Sequence, residues 1–569
     1  MKLFAEKEKK LRFERFSSMH DVMRFVSDTY GDGILYKYFE EKDLKELSFR
    51  DYYKLFMNFG TGLNAHGLMG KRFAIVGESR PEWMCAYLAV VAGGGCIVPL
   101  DKELMPEQIC SFIDYACCDG VIYTDSLYHK VESANPSVVF INLDDNPVSG
   151  ENGYTFRRLC ADGEAEYESG NRIFADCRPD ASSLASIVFT SGTTGTSKGV
   201  MLSHNNILSA VHASVNEVDF YPGETDISVL PLHHTYECIC GNISAMVCGV
   251  TICFNNSLKY FVKNLGIFKP TGLVLVPLFV NTLYKRITDE INKKNKQTTL
   301  SVGMFVTGAA RKVGLDLRRR MFKEIIDSLG GNVKKIVCGG AAMNPDVIKW
   351  FDSIGIKIEQ GYGITECAPL VSVNPSATHK PGSVGKPVLD SSVKIIVEND
   401  YGVSYEAEPG ETGEICVKGP HVMMGYYNAP EETKAAFTGD GYFRTGDYGY
   451  LDKDGYIFIN GRKKNVIVLQ SGKNVYPEEI EEYLDNIDII KECAVIGREN
   501  GDDVVLTAVI FPDYSRFEGK TEEEISAAVK DSIMEVNRRL PIFKQIRGIE
   551  IKRAEFEKTT TKKIIRSKI

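Results

Sequence analysis

Short apolar runs alternate with longer helix-like stretches up to about residue 383. Residues 72–76 and 96–100 form two such runs, and residues 81–92 between them have the length and composition of a helix. The other short runs that we expect to be strands are residues 121–123, 138–141, 273–276, 303–306 and 334–338. Because this alternation is typical of strand–helix–strand units, the pattern predicts an α/β fold with a largely parallel sheet and covering helices.

The pattern changes after residue 383. Apolar runs at 393–397, 413–417 and 456–459 are separated by turns rich in Gly, Pro and Asp, which predicts a smaller antiparallel β region. Beyond a plausible boundary at 461–465, Pro477 is well placed to begin a helix. A strand at 504–510 and an amphipathic helix at 523–539 complete the pattern. The sequence therefore predicts two domains, residues 1–461 and residues 462–569.

Composition excludes several classes of protein. The 569 residues are too many for one compact core, and a net charge of −9 gives no support to nucleic-acid binding. The fifteen cysteines are scattered without any CxxC pair, so we expect free thiols and no zinc site. The N-terminus alternates charges and does not resemble a signal peptide. Residues 83–100 lack charge, but their glycines and Pro99 favour a buried helix, a turn and a strand over a membrane span.

The segment from Phe189 to Gly199 contains three glycines, six hydroxyl residues and Lys198, and it follows a predicted strand. Backbone amides exposed by glycine, together with hydroxyls and a lysine, suit a loop that wraps a polyphosphate. The spacing does not fit the Walker P-loop, because Lys198 is followed by glycine rather than by Ser or Thr. The alternative is a surface loop of small polar residues.

A second candidate loop, residues 360–366, also follows a predicted strand. Tyr362 offers a flat face to a base beside Gly363, Thr365 a hydroxyl to a phosphate, and Glu366 a carboxylate to Mg²⁺. An ordinary turn with an exposed acid is the alternative. Residues 339–342, two glycines and two alanines, could line a base or acyl pocket, although small residues often indicate tight packing alone.

Three weaker signals complete the candidates. Asp447 follows a tight turn and could accept both hydroxyls of a ribose, or belong to a simple β-turn. His233 and His234 form a pair that has no third ligand at metal-binding spacing, so packing is the simpler interpretation. Lys563 lies in a basic tail that is either solvated or able to reach a phosphate.

Taken together, these segments in this order strongly resemble the adenylate-forming superfamily, which includes acyl-CoA synthetases, adenylation domains of peptide synthetases and firefly-type luciferases. The resemblance runs from about residue 47 to the end of the chain. Residues 230–234 and 269–286 narrow it to bacterial long-chain fatty-acid–CoA ligases. It implies a large N-terminal AMP-binding domain of two packed αβ sheets and a β-barrel-like part, followed by a small mobile α+β lid with a hinge near Lys464.

The resemblance also implies a reaction in two steps, in which a fatty acid carboxylate attacks ATP to give an acyl-adenylate and coenzyme A then takes the acyl group. Lys563 would bridge the carboxylate and the α-phosphate, although Lys562 occupies the position where the family has glycine. Thr365 would contact the α-phosphate, Glu366 would bind Mg²⁺, and His234 would border the acyl site. The remaining residues expected to bind nucleotide or coenzyme A are Thr190, Ser191, Gly192, Thr193 (a further candidate Mg²⁺ ligand), Thr194, Gly195, Thr196, Lys198, Gly340, Ala341, Tyr362, Gly363, Asp447, Arg462 and Gly472.

Other functions stay open at this point. A separate acyl carrier protein could replace coenzyme A as the acceptor, giving an acyl-AMP or acyl-carrier-protein ligase. A catalytically inactive nucleotide-binding module is the alternative of another class. We expect a cytoplasmic protein with peripheral contact at the inner membrane surface. The hydrophobic substrates implied by the resemblance and the basic residues at 293–296 suggest this contact. The sequence does not indicate the oligomeric state.

Overall fold

Helices and strands alternate along the chain as the hydrophobic pattern predicts. The computed structural model describes residues 13–135, 137–146, 153–190, 197–374, 378–399, 401, 403–470, 473–500, 503–558 and 564–569. Its α-helices are α1 Met19–Tyr30, α2 Phe49–Ala65, α3 Pro81–Ala92, α4 Pro106–Tyr115, α5 Tyr128–Val131, α6 Phe156–Glu168, α7 His204–Glu217, α8 Ala245–Val247, α9 Phe261–Phe268, α10 Pro277–Lys293, α11 Gln297–Lys312, α12 Arg318–Met321, α13 Lys323–Ser328, α14 Pro345–Ser353, α15 Pro430–Ala435, α16 Pro477–Leu484 and α17 Glu522–Asn537.

The strands of the same residues are β1 Ile34–Glu40, β2 Asp43–Ser48, β3 Arg72–Val76, β4 Cys96–Pro99, β5 Gly120–Tyr123, β6 Val139–Asn142, β7 Gly153–Thr155, β8 Leu184–Thr190, β9 Lys198–Ser203, β10 Thr225–Ser228, β11 Thr251–Phe254, β12 Gly272–Leu275, β13 Lys335–Cys338, β14 Lys357–Gly363, β15 Leu370–Asn374, β16 Lys386–Pro387, β17 Ser392–Glu398, β18 Ser404–Glu406, β19 Gly413–Lys418, β20 Gly425–Tyr426, β21 Phe443–Leu451, β22 Ile457–Arg462, β23 Ile467–Val468, β24 Asn474–Val475, β25 Ile490–Asn500, β26 Asp503–Pro512 and β27 Gly548–Ile551.

The chain divides into two compact units, and the first comprises Met1–Ser392 and Lys418–Phe437. Its largest sheet has the strand order β20-β9-β8-β4-β3-β5-β6-β7, in which the five strands from β4 to β7 are parallel. A second sheet, β12-β13-β14-β15-β16, is parallel from β12 to β14. A third has the order β10-β11-β1-β2. The predicted parallel sheets with covering helices are therefore confirmed.

The uncharged run at residues 83–100 belongs to the core of this unit. It forms most of α3, a turn and β4, and nearly all of its side chains are buried. The predicted helix, turn and strand are confirmed. Within the described residues no helix has both the length and the apolar composition needed to cross a bilayer.

One predicted strand is wrong. Residues 303–306 lie inside α11, not in a strand. A four-residue apolar run fits a strand or one turn of a buried helix equally well, so the run alone could not decide. The apolar residues around it, Val302, Phe305, Val306 and Val313, follow the spacing of three, four and seven residues that belongs to a helix.

The second unit comprises Val393–Val417 and Thr438–Ile569. It contains the strand order β18-β17-β19-β21-β22, antiparallel in its recorded pairs, which confirms the antiparallel region expected after residue 383. Strands β25, β26 and β27 form another sheet, and its apolar side chains share a core with α16 and α17. Pro477 is the first residue of α16, as predicted. The domain boundary at residues 461 and 462, with its hinge near Lys464, stays a prediction.

Candidate functional site

The hydroxyl-rich loop connects two paired strands of the first unit. Strands β8 and β9 are antiparallel neighbours, and Thr190 lies opposite Lys198 in their register. The Thr190 hydroxyl is 3.5 Å from the Lys198 carbonyl oxygen. Residues 191–196, namely Ser191, Gly192, Thr193, Thr194, Gly195 and Thr196, lie outside the described residues. Their predicted phosphate contacts therefore stay predictions, whereas the two ends of the loop are held side by side.

Lys198 belongs to a cluster that the sequence did not reveal. Strand β20 pairs with β9, so Tyr426 lies beside Val200. The Lys198 ammonium is 4.8 Å from the centroid of the Tyr426 ring, within the range of a cation–π contact. On the other side, the Tyr426 hydroxyl donates a hydrogen bond to Oε1 of Glu366 at 3.0 Å. Tyr426 thus connects the lysine of the phosphate loop with the predicted Mg²⁺ ligand.

The Tyr426 hydroxyl keeps its proton and therefore donates the hydrogen bond in this cluster. Burial raises the pKa of Tyr426, and the neighbouring Glu366 carboxylate raises it further. The main chain holds Glu366 from a second direction, because the Met423 amide donates to the Glu366 carbonyl at 2.8 Å. The only sequence signal for Tyr426 was the Gly-Tyr-Tyr run at 425–427, which no spacing argument connected to residue 366.

The second candidate loop, residues 360–366, begins within β14 and continues beyond the end of that strand. Gly363 ends that strand, and a Cβ atom placed there would lie 2.1 Å from the Pro369 carbonyl oxygen, so only glycine fits. Thr365 and Glu366 follow in a single 3-10 turn and are half-buried. The predicted loop 360–366 is only partly correct, because residues 360–363 pair with β15 as part of β14 and only residues 364–366 follow the strand. The roles of Thr365 at phosphate and of Glu366 at Mg²⁺ stay predictions.

A cleft lies against β12, β13 and β14. Gly340, Tyr362 and Gly363 line it, which brings three of the predicted nucleotide residues together. Gly340 has φ of +89°, a conformation that favours glycine. Ala341 is exposed beside it and does not belong to the described lining residues. The carboxyl ends of parallel strands are where α/β folds bind ligands.

The remaining wall of the cleft is mostly apolar. It comes from the end of α7 and from a π-helix at Tyr236–Ser244, a rare conformation that is common near functional sites. The wall residues on these elements and just beyond them are Ser214, Val215, Val218, Phe220, Tyr236, Cys240, Ser244, Ala245 and Cys248. The sequence analysis predicted neither the π-helix nor these lining residues. Such a wall suits a hydrocarbon ligand.

The cleft extends along the strands, from their carboxyl ends to the opposite end of β12. Gly339 and Gly340 follow the carboxyl end of β13, and Gly361 and Gly363 lie at the carboxyl end of β14. Phe220 lies against the opposite end of β12. A Cβ atom on Gly272, the first residue of β12, would lie 2.6 Å from the Phe220 ring. The Lys335 ammonium lies 4.2 Å from the ring centroid on another side. Four strand residues separate these ends by about 10 Å, and Phe220 lies at the far one.

His234 precedes the π-helix and is half-buried. Its ring centroid is 4.1 Å from that of His233. Nε2 of His233 is 3.5 Å from Oδ2 of Asp101, and burial lowers the pKa of His233 despite this carboxylate. The amide of Cys238 donates to the His234 carbonyl at 2.9 Å, which connects the histidine to the first turn of the π-helix. The predicted role of His234 at the acyl site stays a prediction.

In the second unit, Asp447 and Arg462 form an ion pair. They are opposite each other on β21 and β22, with Nε of Arg462 2.8 Å from Oδ1 of Asp447. Asp447 is buried and Arg462 is partly exposed. On the same sheet, the buried Glu414 accepts hydrogen bonds from Arg444 at 2.9 Å and from Lys463 at 3.1 Å. The sheet thus holds two buried acids, Asp447 paired with one cation and Glu414 with two.

The other predicted residues of this unit are only partly placed. Burial lowers the pKa of Lys464, and Arg462 lowers it further. Gly472, Lys562 and Lys563 lie outside the described residues. Lys558 and Ile564, on either side of the segment with the two lysines, form an antiparallel bridge. The roles of all these residues stay predictions.

Comparison with known proteins identifies the family. Residues 26–427 match the model of the AMP-binding enzyme family, and residues 464–569 match the AMP-binding enzyme C-terminal domain. Long chain acyl-CoA synthetase 7, peroxisomal, of Arabidopsis thaliana is 27% identical over 499 residues, which cover 83% of this chain and 70% of the relative. A second Arabidopsis thaliana protein, long-chain-fatty-acid–[acyl-carrier-protein] ligase AEE15, chloroplastic, is 26% identical over 575 residues, covering 88% and 77%.

The fold matches a solved structure over nearly the whole length of both chains. The crystal structure of ATP-bound MatB from Rhodopseudomonas palustris superposes with a TM-score of 0.74 at 25% identity, covering 96% of this chain and 97% of that one. The predicted α/β fold, with a large AMP-binding part and a smaller C-terminal part, is confirmed. Because the family model matches most of the sequence, the chain belongs to the AMP-binding enzyme family.

Proposed function

We propose that the protein activates a long- or medium-chain fatty acid with ATP and transfers the acyl group to coenzyme A. The observation that carries this proposal is that predicted nucleotide residues and an apolar wall reaching Phe220 line the same cleft. A fatty acid has the same two parts, a carboxylate that must meet the nucleotide and a chain that must leave water. The similarity to long-chain acyl-CoA synthetases supports this substrate class.

The reaction balances in two displacements. A carboxylate oxygen attacks the α-phosphorus of ATP, the bond to the β-phosphate oxygen breaks, and pyrophosphate leaves. The coenzyme A thiol, having lost its proton, then attacks the acyl carbon, and the bond from that carbon to the phosphate oxygen breaks to release AMP. Both steps bring anions together, so fixed cations and donors that meet the developing charge lower the barrier, each contributing roughly 2–4 kcal/mol.

The chain supplies several such groups. We propose that Lys198 and the loop 190–196 hold the β- and γ-phosphates, that Thr365 contacts the α-phosphate, and that Lys563 bridges the carboxylate and the α-phosphate. Gly340, Ala341 and Tyr362 are proposed to frame the adenine. Asp447 and Arg462 are proposed to bind the ribose, and Gly472 to line the path of the coenzyme A thiol. His234 is proposed to border the carboxylate end of the acyl chain.

The structure offers a suitable carboxylate for Mg²⁺. Glu366 is half-exposed, and the only partner recorded for its carboxylate within the described residues is the Tyr426 hydroxyl on Oε1. No group of three or more metal-binding side chains occurs among the described residues. Mg²⁺ commonly binds one or two carboxylates and completes its shell with phosphate oxygens and water, so Glu366 fits this use. When bound, Mg²⁺ would neutralise phosphate charge.

A carrier protein is the second candidate acceptor. The Arabidopsis relative that ligates long-chain fatty acids to acyl carrier protein supports this alternative, since it matches most of this chain. The activation step is the same for both acceptors, because the two thiols differ only in what carries the phosphopantetheine. Peripheral contact with a membrane also belongs to the proposal, because long-chain acids reside in bilayers.

The direct test measures pyrophosphate release with ATP, Mg²⁺ and a series of carboxylic acids from short to long chain. We expect sustained release only when a medium- or long-chain acid and coenzyme A are both present. A single burst that coenzyme A does not prolong, followed by turnover with a carrier protein, would establish the second acceptor instead. Lack of release with every acid would contradict the proposed activity.

The lysine assignment has a matched pair of variants. Lys563→Ala is expected to lower the rate of pyrophosphate release by a hundredfold or more, on the order of an electrostatic contribution of about 3 kcal/mol. Lys562→Ala, one residue earlier, is expected to retain most of the activity. ATP binding by both variants should match that of the unsubstituted protein. A reversed ranking would move the role to Lys562.

A further inference from the structure

The outward face of α11 is apolar although it faces solvent. Val302, Phe305, Val306 and Val313 are exposed, Phe305 by 79% and Val313 by 76%. At 3.6 residues per turn, these four side chains lie within about 100° of the helix circumference. A surface helix normally presents polar residues on this side. The face therefore exposes apolar area that folding alone does not explain.

The opposite face of the same helix is already packed. Leu300 and Met304 contact the hydrophobic core beneath them, and Gly303 and Thr307 are buried. The exposed residues Val302, Phe305, Val306 and Val313, called the stripe below, thus form a second apolar face of the helix in addition to the face that packs on the core. It continues beyond the helix in Leu315, Leu317 and Met321, whose side chains are also exposed.

Cations lie before the apolar stripe and along it. Lys293, the last residue of α10, precedes the stripe, Lys312 is adjacent to Val313, and Arg320 is adjacent to Met321. All three are exposed and have no acidic partner in the described parts of the chain. The neighbouring acids are already neutralised: Glu290 and Glu324 pair with Lys294 or Lys296, and Asp316 and Asp352 pair with Arg318.

A shallow basic cleft lies next to the stripe. Its described lining residues include Lys269, Arg319, Arg320 and Lys323, and the one acid among them, Asp327, pairs with Lys323. This concentration of positive charge contrasts with the net charge of −9 of the whole chain. Apolar side chains bordered by free cations match the chemistry of a bilayer interface with anionic headgroups.

We propose that α11 and the segment to Met321 dock the protein on an anionic lipid bilayer. The stripe would insert its apolar side chains at the level of the acyl-chain boundary, while Lys293, Lys312 and Arg320 contact headgroup phosphates. The proposal concerns binding alone and holds whichever thiol accepts the acyl group. Its charge requirement favours a lipid surface over a second copy of this chain, whose corresponding face would carry the same positive charge.

The test is co-sedimentation of the full chain with vesicles, without substrate. We expect binding to phosphatidylcholine vesicles containing about 30% phosphatidylglycerol, and much weaker binding to phosphatidylcholine alone, because the cations contribute electrostatically. Phe305→Ser should weaken binding at least about tenfold, the effect of removing one inserted aromatic side chain. The matched control is Ile173→Ser, which alters an isoleucine that is 60% exposed elsewhere on this unit and should bind as the unsubstituted protein does.

A charge series separates headgroup contact from general attraction. Replacing Lys293, Lys312 and Arg320 with Gln together should weaken binding on the order of a hundredfold at low salt. Replacing the exposed Lys434, Lys453 and Lys530 with Gln removes the same charge elsewhere and should change binding little. Equal loss in both triple variants would overturn the assignment to this surface.

Two further results would also overturn the proposal. One is the absence of vesicle binding by the unsubstituted protein. The other is self-association in analytical ultracentrifugation that Phe305→Ser abolishes while vesicle binding persists, since the stripe would then be a contact between copies. Pyrophosphate release from a soluble medium-chain acid, measured in parallel, should be the same in all these variants, so a failed docking surface is distinguishable from a failed activity.

Discussion

At the scale of single residues, the most important addition to the sequence prediction is Tyr426, which connects Lys198 with Glu366. The sequence indicated Lys198 and Glu366 separately, from glycine-rich and hydroxyl-rich loops after strands. It could not place them together, because their neighbourhood depends on β20 pairing with β9 across more than two hundred residues. Tyr426 lies between them, with its ring under the lysine and its hydroxyl on the carboxylate.

Tyr426→Phe tests that connection. The variant keeps the ring beneath Lys198 and removes only the hydrogen bond to Glu366. Because a hydrogen bond to a charged group contributes about 1.5–3 kcal/mol, we expect kcat/KM for Mg·ATP to fall roughly ten- to a hundredfold. Steady-state kinetics at varied Mg²⁺ concentration would measure the change.

The adjacent tyrosine provides the control. Tyr427→Phe removes a hydroxyl that accepts a hydrogen bond from Arg72 at 2.9 Å and is not recorded in contact with Glu366. Its kcat/KM should stay within about threefold of the unsubstituted value, an effect below roughly 0.7 kcal/mol. Equal losses in the two variants would indicate a general packing effect and would remove Tyr426 from the site.

The Asp447–Arg462 pair makes a second prediction at this scale. Asp447→Asn keeps the size of the side chain and removes its charge, so it should weaken ATP binding by about 1.5–3 kcal/mol if the carboxylate accepts the ribose hydroxyls. Isothermal titration with ATP would measure this. Asp440→Asn, an exposed aspartate of the same unit paired with Lys394, is the control. Unchanged ATP affinity in Asp447→Asn would contradict the ribose assignment.

At the scale of elements, the hydrophobic pattern predicted β3, β4, β5, β6, β12, β13 and β14, because buried parallel strands are short, apolar and bounded by turns, but it missed many of the other strands. It was wrong at residues 303–306, where four apolar residues belong to a helix whose two faces are both apolar. It missed the π-helix at Tyr236–Ser244 because no local spacing distinguishes a π-helix from an α-helix. That helix matters, since Tyr236, Cys240 and Ser244 line the cleft.

The cleft wall predicts opposite shifts in chain-length preference. Phe220→Ala removes the ring at the far end of the cleft and should favour longer acids, whereas Cys240→Phe fills the cleft from the π-helix and should favour shorter ones. We expect the ratio of kcat/KM for acids two carbons apart to change roughly tenfold in each direction.

The same acid series used for pyrophosphate release would measure these ratios, and melting temperatures would confirm that both variants fold. Shifts in the same direction, or unchanged ratios in two folded variants, would show that the acyl chain lies elsewhere.

At the scale of the whole molecule, the sequence predicted two domains, residues 1–461 and 462–569, and it indicated an antiparallel β region after residue 383 without dividing the chain there. It could not predict the composition of the two compact units, because Val393–Val417 joins the second unit while Lys418–Phe437 belongs to the first. Such an exchange depends on long-range strand pairing, which local patterns do not encode. The sequence did indicate the nucleotide-binding loops, because glycine and hydroxyl residues leave a local signal, but apolar cleft residues from distant segments leave none.

The buried histidine His20 makes the free energy of unfolding depend on pH in the acid range. His20 is buried beside Phe56 and Phe174, and burial, helped by Arg178 and Arg24, lowers its pKa to about 4. The folded pKa is below the unfolded value, so the neutral form is favoured on folding and stability is lost as the pH falls from about 6.5 towards 4.

His20→Leu should remove this contribution. The free energy of unfolding of both proteins should fall between pH 7 and pH 4. In the His20→Leu variant this fall should be smaller by about 3 kcal/mol than in the unsubstituted protein. Urea unfolding followed by tryptophan fluorescence would measure the difference. His129→Leu, at an exposed position, is the control. Parallel pH profiles for His20→Leu and the unsubstituted protein would contradict the assigned charge state.

The central claim is that the carboxylate attacks the α-phosphate and forms an acyl-adenylate. The most direct measurement uses a long-chain acid labelled with ¹⁸O in its carboxylate, together with ATP, Mg²⁺ and coenzyme A, and locates the label in the products by mass spectrometry. The account predicts one ¹⁸O atom in AMP, carried over when the thiol breaks the bond between the acyl carbon and oxygen. Label in pyrophosphate or in inorganic phosphate, with none in AMP, would contradict it.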